Sequence, residues 1–124
     1  METESSNETS INVAIVRGVC SSPPEIRVLP SEQRLAQLQV TTRVDGRAMS
    51  VPVSVIDPPA WIDQLDAGDE LIVIGAVRRR FFRAAGSTAS RVEIEAEIVA
   101  RARDRRRSRR LANRVAEVLE ALES

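Results

Sequence analysis

The sequence predicts an all-β fold class: a small five-stranded barrel followed by one α-helix. Three observations support this. Polar and apolar side chains alternate along residues 34–44, an Asp-Gly pair follows at once, and residues 101–123 contain neither glycine nor proline. The chain has 124 residues, of which 43% are apolar, and this is enough for one modest core. We therefore expect a single barrel domain.

The first three strands are predicted from local composition. Residues 11–20 are rich in branched apolar side chains, with a bulge expected at Gly18. Asp45-Gly46 favours a type I′ turn between residues 34–44 and residues 47–56, so these two runs form a hairpin. Pro52 cannot donate to a ladder, which predicts an unpaired edge or a bulge in the second arm.

The second half of the barrel is predicted as helix, strand, loop and strand. Asp57 and the prolines after it predict a short helix, capped by Asp57, that ends by Gly68. Residues 70–82 are predicted as a long strand, residues 83–90 as a loop and residues 91–99 as the last strand. In the last strand one face carries Val92, Ile94, Ala96 and Ile98, and the opposite face, expected to be wet, carries Glu93, Glu95 and Glu97.

Five strands with a small helix between the third and the fourth is the order expected of an OB-fold barrel, with an SH3-like barrel as the alternative. The final helix is predicted to be amphipathic, and its apolar face, called the seam below, is formed by Leu111, Val115, Val118 and Leu122. The expected organisation is a disordered acidic segment over residues 1–10, an OB-fold domain over residues 11–100 and an arginine-rich helix over residues 101–124.

Composition excludes several chemistries. The 18 basic residues are all arginine, histidine is absent, and Cys20 is the only cysteine, so histidine catalysis, lysine Schiff bases and structural zinc are excluded. No nucleophile-base set or phosphate-binding glycine loop is present, and we expect neither an enzyme nor a cofactor. Cys20 is interpreted as a buried apolar side chain and Trp61 as a cap on the core. Asp63, Asp66 and Asp69 are interpreted as surface charges, because they lack the spacing of a calcium loop.

The sequence also gives an expected location. No apolar run approaches the roughly 20 residues needed to span a bilayer. The first ten residues are acidic and polar, whereas a secretory signal has a basic end and an apolar core. We therefore expect a cytoplasmic protein without membrane contact.

Charge is strongly segregated along the chain. Residues 1–77 contain 5 arginines and 11 acidic residues, whereas residues 78–114 contain 13 arginines and 4 acidic residues. In the predicted helix, arginines crowd the amino end and glutamates the carboxyl end, opposite to the order that the helix dipole favours. This suggests that the helix arginines serve an external anion. The alternative is a helix whose seam packs on the barrel or a second subunit while its arginines are solvated.

Several segments resemble bacterial single-stranded DNA-binding proteins. They include Asn12, Ile15, Gly18, Pro24-Glu25-Ile26-Arg27, Pro30-Ser31, Leu35-Ala36-Gln37-Leu38-Gln39-Val40-Thr41-Thr42 and Gly68-Asp69-Glu70-Leu71-Ile72-Val73-Ile74-Gly75-Ala76-Val77-Arg78. The resemblance covers roughly residues 11–100 and implies an OB fold, binding of single-stranded DNA and assembly into tetramers.

The sequence departs from that family in its aromatic side chains. The family stacks bases on aromatic rings, and here Ser50 and Ile56 stand at two of those positions, while Phe82 matches a third. Losing two stacks weakens binding by roughly 2–6 kcal/mol unless charge compensates. The family's glycine-rich tail with an acidic tip is replaced by the predicted helix.

We therefore expect a protein that binds single-stranded DNA without strong sequence preference, in replication, repair or recombination. The expected contacts are Arg43, Arg47, Arg78, Arg80, Phe82 and Arg83. The choice between DNA and RNA is left open, and a homo-oligomer, either a tetramer or a dimer, is expected. The alternative is an OB-fold protein-interaction or oligomerisation module that has lost DNA binding.

Overall fold

The computed structural model describes residues 10–123. Its elements are β1 (Ala14–Cys20), β2 (Glu25–Val28), β3 (Arg34–Val44), β4 (Arg47–Ile56), a 3-10 turn (Ala60–Gln64), β5 (Glu70–Ala84), β6 (Ser87–Arg101) and α1 (Arg105–Leu122). The acidic segment expected to be disordered lies, except for Ser10, outside the described residues.

Five of the strands close into a mixed β-barrel. The neighbours follow the order β1-β5-β6-β4-β3, and β1 returns to β3 where Val19 pairs with Thr41. All barrel pairs are antiparallel except β4 with β6. The short β2 was not among the five predicted strands, and it pairs with the start of β3. The predicted barrel and C-terminal helix are therefore confirmed.

The barrel interior is filled by alternate side chains of its strands. Leu38, Val53, Leu71 and Val73 are almost completely buried and belong to one core cluster, which Ile62 from the 3-10 turn also joins. Each such side chain contributes about 1.5–3 kcal/mol when it leaves water, so this cluster is the main source of stability.

A β-bulge changes which face the end of β6 presents. Ile74 pairs with Ile98, but the next residue, Gly75, pairs with Ala96, so Glu97 is the extra residue. A Cβ on Gly75 would collide with the carbonyl oxygen of Glu95, which explains the glycine. The prediction that Ile98 shares a face with Ile94 was wrong: Ile94 lies in the barrel core and Ile98 in a separate outer cluster.

Two tight hairpins project from the same end of the barrel. Asp45 and Gly46 both have positive φ angles (52° and 74°), as do Ala85 and Gly86 (51° and 83°), the pattern of type I′ turns. The loop predicted over residues 83–90 was wrong, because β5 continues to Ala84 and β6 begins at Ser87. Since β4 and β6 run parallel and each starts at one of these turns, both turns lie at one barrel end.

The segment between β4 and β5 differs from the predicted helix. It forms only a 3-10 turn, preceded by Pro59, without a side-chain cap. Asp57 has a φ of 52° and accepts a hydrogen bond from the Gln33 side chain at 3.0 Å, so it ends β4 and caps no helix. Five residues between Pro59 and Leu65 suffice to place Ile62 in the core but are too few for regular α-helical turns.

Two special residues of the early strands have simple roles. The register of β1 with β5 runs unbroken through Gly18, so the bulge expected there was wrong. A Cβ on Gly18 would instead collide with the carbonyl oxygen of Thr41, where β1 approaches β3. The pairing of β4 with β6 is restricted to Val53 and Ser54. Pro52 therefore lies on the part of the β4 edge that is not paired with β6, as its missing N–H donor predicted.

Helix α1 packs on the outer side of the barrel. Leu111 is buried against Ile74 and Ile98, with Val115 and Val118 beside them, whereas Leu122 of the predicted seam is exposed. Asp104 caps the helix by accepting a hydrogen bond from the Arg107 backbone at 3.1 Å. The helix therefore covers the apolar half of the outer face of β5.

We expect Gly75→Ala to destabilise the barrel by about 3 kcal/mol, because its new Cβ meets backbone that cannot yield cheaply. Gly46→Ala is the matched control. Its Cβ has open space, and only the positive φ costs about 1 kcal/mol. Urea unfolding measures both. Equal losses in the two variants would show that the contact at Gly75 does not constrain the fold.

Candidate functional site

The outer face of the β5–β6 hairpin brings together three of the predicted contact residues. Arg78, Arg80 and Phe82 alternate along β5, and β6 places Glu93, Arg91 and Ala89 directly opposite them. This face continues the outer face on which α1 sits, because Ile72 and Ile74 occupy the same side of β5. One strand face thus has an apolar half under the helix and a cationic half that is open.

Glutamates of β6 hold these arginines. The Arg80 Nε lies 2.8 Å from a Glu93 carboxylate oxygen, and the Arg91 Nε lies 3.8 Å from the other oxygen. The Arg78 Nε lies 2.7 Å from Glu95. The sequence predicted a wet face for these glutamates. That was wrong for Glu93, whose side chain is 1% exposed, because the guanidinium groups cover it.

The ion pairs direct the guanidinium groups without using all their donors. An arginine has five N–H donors, and the Nε contact engages only one edge of the planar group. The Nη atoms on the far edge of Arg78 and Arg80 remain able to donate to a phosphate or to lie flat against a base. The glutamates therefore neutralise part of the arginine charge and at the same time fix the orientation of the guanidinium groups.

The two phenylalanines of the hairpin point to opposite faces. Phe82 shares the outer face with Arg80 and is 42% exposed, whereas Phe81 is 67% exposed on the opposite face. Arg79 and Arg83 share that opposite face, and Arg79 donates to the Ser90 hydroxyl at 3.1 Å. Arg83 is thus separated from the Arg78, Arg80 and Phe82 group by the thickness of the strand.

Arg43 and Arg47 lie on the other hairpin. Both are exposed, and they flank the Asp45-Gly46 turn on opposite faces, since Arg43 pairs with Ala48 and Arg47 with Val44. Arg43 belongs to the outer face and Arg47 to the opposite one. The structure therefore brings all six predicted residues to one end of the barrel, four on its outer face and two on the other.

The outer face of β3 and β4 is polar. Its side chains include Gln39, Thr41 and Ser50, and the Ser50 hydroxyl donates to the Gln39 side-chain oxygen at 3.0 Å. These groups offer hydrogen bonds to a polar ligand but no ring for stacking. Within residues 10–123, the aromatic side chain nearest in kind to a stacking platform is Phe82 on the outer face of the neighbouring β5–β6 hairpin.

Other residues singled out in the sequence have structural roles. Cys20 is fully buried, and burial raises the pKa of its thiol. Trp61 packs against the core, with the guanidinium carbons of Arg101 and Arg107 at 5.1 and 5.6 Å from its ring centre. Asp63 pairs with Arg34 at 2.9 Å. These contacts support the interpretation of Trp61 as a cap and of Cys20 as core.

Sequence reasoning missed the part that Arg91, Glu93 and Glu95 play in this face. The signal was present, because the arginines of residues 78–80 and the glutamates of residues 93–95 pair if the turn is centred between residues 85 and 86. Interpreting residues 83–90 as a loop hid that register.

Comparison of the sequence with protein-family models gave no match, and comparison with curated proteins gave none either. Within residues 10–123, no helix combines the length and the apolar character that crossing a bilayer requires.

We expect Glu93→Gln to destabilise the fold by about 2 kcal/mol, since it weakens a buried, charge-assisted hydrogen bond to Arg80. Glu95→Gln removes the same charge from a carboxylate that is 26% exposed and whose partner is mostly in water, so its loss should stay below about 1 kcal/mol. Thermal unfolding of both variants tests this. A larger loss in the Glu95 variant would contradict the burial described for Glu93.

Proposed function

We propose that this protein binds single-stranded DNA without strong sequence preference, as a divergent member of the bacterial single-stranded DNA-binding family. The strand order, with parallel β4 and β6, is consistent with an OB fold. In OB folds the face of the second and third barrel strands and the loops beside it bind oligonucleotides. Here that face is formed by β3 and β4, and the β5–β6 hairpin flanks it.

The observation that carries the proposal is the outer face of the β5–β6 hairpin. Arg78 and Arg80 pair with Glu95 and Glu93 through Nε, which leaves their Nη edges without a hydrogen bond among residues 10–123, next to the partly exposed ring of Phe82. Guanidinium groups for phosphates and a ring for a base are the two components of sequence-tolerant binding to single strands. Arg43 adds a cationic side chain from the neighbouring hairpin.

Charge supplies most of the proposed affinity. Ser50, at a position where the family has a stacking ring, lies on the outer face and bonds to Gln39. Arginine contacts to phosphates do not read the bases, so the proposed binding has no preferred site. The role proposed for such binding is in replication, repair or recombination, in the cytoplasm. RNA satisfies the same contacts, and the comparison of DNA with RNA oligonucleotides belongs to the test.

A second candidate function is supported by the opposite face of the two hairpins. Beyond the barrel core this face exposes Val44, Met49, Val77, Phe81 and Val92. Exposed apolar surface of this kind is typical of protein interfaces. It favours a homo-oligomer, a dimer or a tetramer, and it is the basis of the alternative in which the fold is an interaction module without DNA binding.

Titration of a labelled oligo-dT of about 8 nucleotides, a length within the usual OB-fold site size, separates the two functions. We expect binding that weakens steeply as salt rises, with a slope near −2 in log K against log salt, about −0.7 for each phosphate contact of the outer-face arginines Arg43, Arg78 and Arg80. The interaction module would show no binding at any salt concentration, and that result would overturn the DNA-binding proposal.

The two faces of one hairpin provide matched variants. Replacing Arg78, Arg80 and Phe82 with alanine should weaken binding at least about 30-fold, because a lost base stack alone contributes about 1–3 kcal/mol. The control replaces Arg79, Phe81 and Arg83, which have the same composition but lie on the opposite face. It should bind within a few-fold of the unaltered protein. A greater loss of affinity in the control than in the outer-face variant would contradict the assignment of the site to the outer face. Circular dichroism checks that both variants fold.

A further inference from the structure

The exposed face of α1 carries an arginine cluster that the proposed site does not use. Arg105, Arg106, Arg109 and Arg110 are all exposed. The spacing of the first three places them on the side of the helix away from Leu111, whereas Arg110 lies at the flank of the helix, where it lines a hollow with Ile98 of the barrel. Within residues 10–123 none of the four makes an ion pair, whereas Arg107 and Arg114 do. We call these four residues the helix arginine face.

The helix arginine face is unfavourable for the helix itself. Arg105 and Arg106 lie in the first turn, where the helix dipole favours anions, and that turn contains no acidic residue. Arg105 with Arg109, and Arg106 with Arg110, are like-charge pairs four residues apart, an arrangement that destabilises a helix. Folding therefore gives no reason for these arginines, and an external anion would remove both penalties.

The helix arginine face is connected to the outer face of the hairpin. A surface hollow of about 420 Å³ is lined by Arg106, Arg109, Arg110, Asn113, Arg114 and Glu117. A second hollow of about 330 Å³ includes Arg114 together with Arg78 and Glu95. Arg114 thus belongs to both hollows and lies between Arg78 of the proposed site and the helix, with its guanidinium paired to Glu97 at 2.8 Å and to Glu117 at 3.0 Å.

We propose that a single strand of nucleic acid bound at the hairpin continues past Arg114 onto the helix arginine face. This inference rests on the proposed function and adds a second, phosphate-only contact surface to it. The four residues include no aromatic ring, so the surface suits the sugar-phosphate backbone and not the bases. An acidic protein segment is the competing occupant, and it presents no regular phosphate spacing.

The test compares two lengths of labelled oligo-dT, about 8 and about 30 nucleotides, across a salt series. Changing the four helix arginines to glutamine (R105Q, R106Q, R109Q, R110Q) should leave the affinity for the short oligonucleotide within about twofold. For the long one, binding should weaken and the slope of log K against log salt should become shallower by about 3, from four contacts of about 0.7 each. The melting temperature should rise, since the variant removes charges that oppose the helix dipole.

The matched control changes the same four residues to lysine, which keeps the charge, and it should retain the long-oligonucleotide affinity within a few-fold. Unchanged affinity and slope in the glutamine variant would overturn this inference while the proposed function stands. Equal losses on both lengths would also overturn it, because the helix would then belong to the primary site. Failure of the unaltered protein to bind either oligonucleotide would overturn the proposed function itself. Equal binding of a poly-glutamate peptide would overturn the choice of nucleic acid as occupant.

Discussion

The close backbone contact at Gly75 is the constraint on which the seat of helix α1 on the outer surface depends. It allows Glu97 to bulge out of β6, so that Ile98 turns outward and Val99 turns into the barrel. On one side of the bulge, Ile98 joins Ile74 beneath α1. On the other side, Glu95 and Glu93 face the arginines of β5. One extra residue thus separates the seat of the helix from the cationic face.

The arginines of this protein are held in two different ways. Arg78 and Arg80 are compensated by glutamates, which reduces their net field but limits the directions that their guanidinium groups can take. Arg106 and Arg109 on the helix have no such partners among the described residues, so their field extends into solvent until salt screens it. Fixed donors suit close contact, whereas uncompensated charge suits attraction at a distance. A cationic binding surface benefits from both.

The accuracy of the sequence-based predictions followed the range of the interactions involved. The hairpin around Asp45-Gly46 was predicted correctly because the turn residues and the alternating arms are local signals. The second hairpin was missed because alanine seldom adopts the positive φ that Ala85 has, so its turn resembled a loop. That error concealed the register that places Arg78 opposite Glu93, and with it the ion pair between Arg80 and the buried Glu93 carboxylate.

The sequence by itself determined the existence of the five barrel strands, the terminal helix and the concentration of arginines after residue 77, because periodicity, turn chemistry and charge are properties of neighbouring residues. Strand alternation also predicted that Phe82 shares a face with Arg78 and Arg80. Only the tertiary structure decided that this face is the outer one, which of those arginines are neutralised, and where the helix lies. The ion pairs depend on the register that the Ala85-Gly86 turn sets between β5 and β6, and the place of the helix depends on the register shift at Gly75. The residues that these pairings join lie about 13 to 21 positions apart, beyond the reach of any local pattern.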